Sequence, residues 1–163
     1  MKTRLCILIV LMLASNVFAK TDIFGEERNA SIYFGKDTIV GDVGFTPVER
    51  LDWGFRLMGT YQDDDVKEDH LKIEDWYVGA FVKYPFIDFG SVFPTIPIAG
   101  NAYAGVSLLY QIQSNSDLFL VPEIGVDVEV TENISGRVAW QYSQREKIFG
   151  DKSKLLAGFV VRW

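Results

Sequence analysis

The sequence predicts an all-β fold, an eight-stranded antiparallel up-and-down transmembrane β-barrel that follows a cleaved N-terminal segment. Three observations predict it. In the closing stretch, Leu155, Ala157, Phe159, Val161 and Trp163 alternate with Lys154, Leu156, Gly158, Val160 and Arg162. A strand sends successive side chains to opposite faces, so one face here is wholly apolar and ends on an aromatic ring, while the other mixes small, apolar and charged groups. Units of about ten alternating residues, parted by turn-forming or polar clusters, recur along the chain, and eight can be counted. Finally, no apolar run beyond residue 19 reaches the ~20 residues of a membrane helix. A bilayer then admits only a closed barrel, in which every amide is paired between strands.

The N-terminus reads as a secretory signal peptide. Lys2 and Arg4 precede the apolar run Leu5 to Leu13, and Ala14-Ser15-Asn16-Val17-Phe18-Ala19 leads to a break before Lys20. Residues 1–19 are therefore expected to be removed, leaving residues 20–163 as a single barrel domain. The one cysteine, Cys6, lies inside that segment, so no disulfide is expected in the mature chain. Cleavage removes two bases and no acids, making a chain of net charge −6 more acidic still. With no basic run to meet phosphates, nucleic acid is not an expected partner.

The strands follow in order. The first two, about Ser31 to Gly35 and Ile39 to Phe45, are short and glycine-interrupted. The third, Leu51 to Tyr61, sets Leu51, Trp53, Phe55, Leu57, Gly59 and Tyr61 against Asp52, Gly54, Arg56, Met58 and Thr60. The fourth, about Leu71 to Tyr84, turns Trp76, Val78, Ala80, Val82 and Tyr84 to lipid. Leu71 and Ile73 fall out of phase, which a β-bulge near Glu74 and Asp75 would repair. The fifth, Asn101 to Ile112, presents Ala102, Ala104, Val106, Leu108, Tyr110 and Ile112. The sixth, from Leu118 to Val130, carries Pro122 on its lipid face, where a bulge or a missing ladder bond is required. The seventh opposes Ile134, Gly136, Val138, Trp140 and Tyr142 to Ser135, Arg137, Ala139, Gln141 and Ser143, and the stretch ending at Trp163 is the eighth.

An even barrel that ends on one side of the membrane also starts there, so the odd-numbered strands run outward. Tyr61, Tyr110 and Tyr142, with Trp76 and Trp140, then form an outer aromatic belt, and Phe45, Trp53, Tyr84 and Trp163 an inner one. Outer loops fall near Gly35 to Thr38, Gln62 to His70, Gln113 to Asp117 and Gln144 to Lys152. Inner turns fall near Thr46 to Arg50, Pro85 to Gly100 and Thr131 to Asn133. The second of these is long, and its Phe86, Phe89, Val92, Phe93, Ile96 and Ile98 are too apolar to hang in water. It is expected to fold under the barrel mouth and cap the interior, with a plug or partner contact as the functional alternative. The acidic run Asp63 to Asp69 reads as a solvated loop. It lacks the spacing of a calcium loop, and His70 beside it reads as solvent-exposed.

Inward positions carry Asp52, Arg56, Asp75, Lys83, Glu123, Asp127, Glu129, Arg137 and Arg162. Eight strands leave room for little beyond side chains, and unpaired charges away from water cost several kcal/mol. A salt-bridged plug is therefore expected, with a narrow ion path as the alternative. A loop at Thr131 to Asn133 sets Val130 opposite Ile134, Asp127 opposite Arg137 and Ile124 opposite Trp140. A slip by one would turn Asp127 toward the lipid-facing Val138.

Taken together, the signal peptide, the eight alternating strands and the Phe159-x-Val161-x-Trp163 ending resemble the small outer-membrane barrels of Gram-negative bacteria, among them OmpX-like proteins and the OmpA transmembrane domain. The resemblance implies residence in the outer membrane amid its lipid and lipopolysaccharide. It also implies assembly by the barrel insertion machinery, which in that group reads the last strand, here Phe159, Val161 and Trp163. Two members of the broad group modify lipid A. The deacylase type carries a His-x-Ser pair, whereas His70 is followed by Leu71 and Lys72. The palmitoyl-transfer type carries an N-terminal amphipathic helix, for which Lys20 to Asn29 is too short and too charged. The expectation is a non-enzymatic barrel with no cofactor and no metal, in a structural or surface-interaction role. A channel for ions or small hydrophobic solutes is the alternative.

Overall fold

The computed structural model describes residues 27–48, 50–61, 73–95, 98–112, 117–143 and 153–163. Alternation of apolar and polar side chains builds β1 (Glu27–Phe34), β2 (Thr38–Val48), β3 (Leu51–Tyr61), β4 (Ile73–Asp88), β5 (Gly100–Gln111), β6 (Leu118–Thr131), β7 (Ile134–Tyr142) and β8 (Ser153–Arg162). A single helical turn, α1 (Phe89–Val92), follows β4 and is capped by the Asp88 carboxylate, which accepts from Gly90 N–H at 2.9 Å. Each strand pairs antiparallel with its neighbours in sequence, and β8 returns to β1, so no sheet edge is left open. Residues 1–19, expected to be a signal peptide, the acidic run, His70 and the loop at 144–152 lie outside the described residues.

Bulges set the register. Thr60 pairs with Asp75 and Tyr61 with Ile73, so Glu74 is the extra residue that restores the phase of β4. Between β6 and β7 the turn is shorter than a three-residue loop. Thr131, not Val130, pairs with Ile134, and Val130 is the bulged residue. Glu129 still opposes Ser135 and Asp127 still opposes Arg137, because the bulge compensates for the shorter turn. Pro122 needs no bulge. The β6–β7 register begins at Glu123 and Gln141, and Pro122 lies one residue beyond it. β1 and β2 are longer than the glycine-broken alternation predicts, each extending toward the tight-turn end of the barrel.

The distribution of side chains is that of a barrel in lipid. Val106, Leu108, Ile124, Val138, Trp140 and Phe159 are exposed on the outside, while Asp42, Arg56, Asp127 and Arg137 are buried within. The interior has two layers. Toward the end that carries the longer loops, Tyr33, Val40, Met58, Tyr77, Leu109, Phe119, Val121 and Leu156 form an apolar cluster. Toward the turn end lie the charges. The expected ionic plug thus fills only part of the lumen, and apolar side chains on interior-phase positions fill the rest.

Two further expectations are corrected. The Pro85 to Gly100 segment does not cap the interior: β4 runs on to Asp88, α1 buries none of its residues, and Phe86, Ile87, Val92, Phe93 and Ile98 are exposed. Ile96 lies outside the described residues. Phe45 keeps the outer-face phase expected of it but is not exposed there. It is buried, and its ring centroid lies 5.8 Å from that of Trp53, its cross-strand partner.

Candidate functional site: the charged interior

The β2–β3 register sets Asp42 opposite Arg56, and the planar guanidinium meets the carboxylate fork-on. Nε donates to Oδ1 at 2.7 Å and Nη2 to Oδ2 at 2.8 Å. The remaining Nη1 crosses the lumen to Ser107 Oγ at 2.8 Å on β5 and to Glu123 Oε2 at 2.7 Å on β6. Glu123 also accepts from the Tyr103 hydroxyl at 2.7 Å and from Gln141 Nε2 at 2.6 Å. Tyr103 reaches it because Gly125 leaves room, since a Cβ at 125 would sit 2.5 Å from the phenol oxygen.

Lys83 donates to Asp42 Oδ2 at 2.8 Å and to the Tyr33 hydroxyl at 2.6 Å, and lies 3.7 Å from Glu123. The Tyr33 hydroxyl itself donates to Asp42 Oδ2 at 2.8 Å and accepts from Arg137 Nη1. That one oxygen joins the Asp42 group to a second group, in which Arg137 grips both carboxylate oxygens of Asp127. Arg162 lies 3.2 Å from Asp127 and donates to Ser135 Oγ at 2.6 Å. Aromatic rings complete the shell: the Arg137 guanidinium carbon is 4.6 Å from the Tyr103 ring centroid, and Lys83 Nζ is 4.4 Å from that of Phe81. The buried acids Asp42, Glu123 and Asp127 balance the buried bases Arg56, Lys83 and Arg137, so this layer is electrically neutral.

Beneath the network, a cavity of about 340 Å³ opens at the turn end, lined among others by Asp52, Lys83, Tyr103, Asp127, Arg137 and Arg162. Its inner end is the network itself. At the opposite end Lys154 binds Asp37 and donates to Thr38 Oγ1 at 3.0 Å, above the apolar cluster. The lumen is a cup, walled off by charge pairs and then by packed apolar side chains.

Sequence reasoning placed Arg56, Lys83, Glu123, Asp127 and Arg137 on the inner face, and the structure brings them together with Arg162 at the margin. Asp52 stands apart at the mouth, half-buried, accepting from Thr46 Oγ1 at 2.6 Å. Asp75 accepts from Gln111 Nε2 at 2.9 Å near the loop end. Glu129 is exposed and belongs to the mouth, not to the plug. Asp42 and Tyr33 are network members that the alternation does not single out, whereas Tyr103, Ser107 and Gln141 fall on its inner face with no partner assigned. Among the aromatic positions, Tyr84, Tyr110, Trp140 and Trp163 are exposed on the outside. Trp53, Tyr61 and Tyr142 are half-buried, Tyr61 with its hydroxyl donating to Gly35 O at 3.0 Å. Phe159 and Val161 are exposed on the outer face of β8.

A closed meander of eight strands, apolar outside and charge-paired inside, is the architecture of small outer-membrane β-barrels. Its fold is similar to the solution NMR structure of the de novo designed TMB2.3, with a TM-score of 0.57 at 10% identity over 87% of this chain and 98% of that one. It is similar also to the crystal structure of the N-terminal β-barrel domain of Pseudomonas aeruginosa OprF, with a TM-score of 0.52 at 16% identity over 83% of this chain and 93% of that one. No protein-family model and no curated protein matches the chain.

Proposed function

We propose that this chain is a non-enzymatic barrel of the bacterial outer membrane, exported by its signal peptide, whose role is structural or surface-interacting. The observation that carries this reading is Arg56, which spans the lumen from Asp42 on β2 to Glu123 on β6 with both contacts excluded from solvent. A conducting path would have to break charge pairs that have no water to fall back on, at several kcal/mol each. The cluster above them, whose only polar groups are the hydroxyls of Tyr33 and Tyr77, the first already bonded to Asp42, Lys83 and Arg137, offers a permeating ion too little to replace its hydration. Outer-membrane lipid and lipopolysaccharide are the proposed surroundings, and the insertion machinery, reading Phe159, Val161 and Trp163, the proposed assembly partner. Environmental contact falls to the loops, Asp63 to Asp69 among them.

Planar-bilayer recording of the purified barrel tests the role. A silent bilayer is expected. Steady single-channel steps that vanish on changing Arg137 or Asp127 would establish transport in its place. Cell fractionation tests the address, with N-terminal sequencing expected to begin at Lys20. An unchanged lipid A mass spectrum on expression is expected of a protein without lipid-modifying activity.

A further inference from the structure

The segment that leaves β4 is the least polar exposed stretch of the turn end. From Tyr84 to Ala99 it holds one charged residue, Asp88. That carboxylate is occupied in capping α1, where Gly90 N–H and Ser91 Oγ each donate to it at 2.9 Å. Around it Phe86, Ile87, Val92, Phe93 and Ile98 stand exposed. A water-facing loop has no physical reason to gather them, since each exposed apolar side chain forgoes about 1.5 to 3 kcal/mol of burial.

These side chains continue an interface already present. On β4 the lipid-facing row Val78, Ala80, Val82 and Tyr84 is exposed, and beyond it a bulge at Phe86 lets Ile87 pair with Ala102. Ala102 pairs in turn with Val126 on β6, where Val128 and Val130 extend the exposed apolar face further toward the turn end. Ile87 therefore shares a cross-strand row with residues inside the apolar band, not with residues past its edge. The geometry points to Phe86, Ile87, Val92, Phe93 and Ile98 as a membrane anchor, their aromatic and aliphatic side chains seated among the phospholipids of the turn-side leaflet at the boundary of headgroups and acyl chains. The occupant is lipid, and the inference rests on the reading that the barrel spans a bilayer.

Environment-sensitive labelling tests it in the full chain, with C6S removing the native thiol. A nitrobenzoxadiazole label is placed by Phe93→Cys, independently by Ile98→Cys, and as a control by Val106→Cys on the lipid face of β5. The barrel is folded into phosphatidylcholine and phosphatidylethanolamine vesicles with iodide available on both sides. Emission at 93 and 98 is expected to rise several-fold, shift to the blue and be quenched by nitroxide-bearing lipid. Iodide quenching at 93 and 98 with lipid quenching at 106 overturns the anchor and leaves the barrel reading intact. Protection from both quenchers at 93 and 98 also overturns it, because the segment would then be packed against protein. Iodide quenching at 106 overturns the membrane reading and the anchor with it.

Discussion

Asp42 and Arg56 face one another across β2 and β3 and lock through two parallel hydrogen bonds of 2.7 and 2.8 Å, neither side chain exposed to solvent. A fork of this kind uses the planarity of guanidinium, and the third donating nitrogen is left free to cross the lumen to Glu123. Arg56 therefore ties β2 to β5 and β6 across the lumen and, with Lys83, balances the two buried acids Asp42 and Glu123.

Removing that guanidinium leaves two buried acids, Asp42 and Glu123, to share the single ammonium of Lys83. Arg56→Leu is expected to destabilise the barrel by about 3 to 5 kcal/mol, the cost of leaving buried charge uncompensated. Arg56→Lys should recover only part of it, since one compact ammonium cannot serve Asp42, Ser107 and Glu123 at once. Urea unfolding of the barrel in lipid vesicles measures both. Lysine performing as well as arginine would show that charge matters here and the fork does not.

Much of this arrangement can be read from the sequence, and the exceptions have definite causes. The third and the fifth to eighth strands are legible because lipid and lumen demand opposite side chains, so the alternation is sharp. The Asp127–Arg137 pair is legible because the tight turn between β6 and β7 fixes the count, and a two-residue turn with a bulge at Val130 gives the same register below it as a three-residue loop. The Asp42–Arg56 pair is not legible. A loop over Thr46 to Arg50 would place Asp42 opposite Gly54, whereas the strands run on to Val48 and Leu51 and shift register near Phe45, which brings Arg56 opposite. Arg50 holds the tight turn there with φ of 69°. Tyr33 and Tyr103 escape notice for another reason: on an inner face a tyrosine reads as filling, and only the assembled lumen shows its hydroxyl bridging charges.

Among the described residues the Tyr33 hydroxyl is the one atom hydrogen-bonded to both the Asp42 and the Asp127 groups, so it should carry most of their energetic coupling. Tyr33→Phe keeps the ring and deletes the bridge, at an expected cost of about 1 to 3 kcal/mol for partners left short of a hydrogen bond. Arg56→Lys and Arg137→Lys are expected to be non-additive with Tyr33 present, and to become additive within about 0.5 kcal/mol once it is phenylalanine. The same coupling in both backgrounds would mean that the groups communicate through the backbone.

The outside of the barrel should respond to an introduced charge far more strongly than the surface of a water-soluble sheet does. Val106 lies between Val82 and Pro122 on the exposed apolar face. In water, arginine at such a surface position would change stability by no more than about 0.5 kcal/mol. Facing acyl chains near the middle of the bilayer, Val106→Arg is expected to cost about 2 to 4 kcal/mol. Reversible unfolding from vesicles, with Val106→Leu as a volume control, separates the two environments.

The seam between β1 and β8 is short, its register running only from Asn29 and Arg162 to Phe34 and Ala157. Trp163 extends it by one reciprocal pair of main-chain hydrogen bonds, its N–H donating to Arg28 O at 3.1 Å and its carbonyl accepting from Arg28 N–H at 3.2 Å. Deleting Trp163 removes both, each worth about 0.5 to 1.5 kcal/mol net, together with an exposed ring at the end of the apolar face. In vesicles the truncated chain should still close, with a loss of that size. In cells the expected loss is far larger, because the aromatic end of β8 is also the proposed assembly signal, and Trp163→Phe should restore assembly while the deletion does not. Protease-resistant barrel in the outer-membrane fraction, set against refolding yield in vesicles, gives the comparison. Equal losses in the two assays would confine the residue to the seam and withdraw its role in assembly.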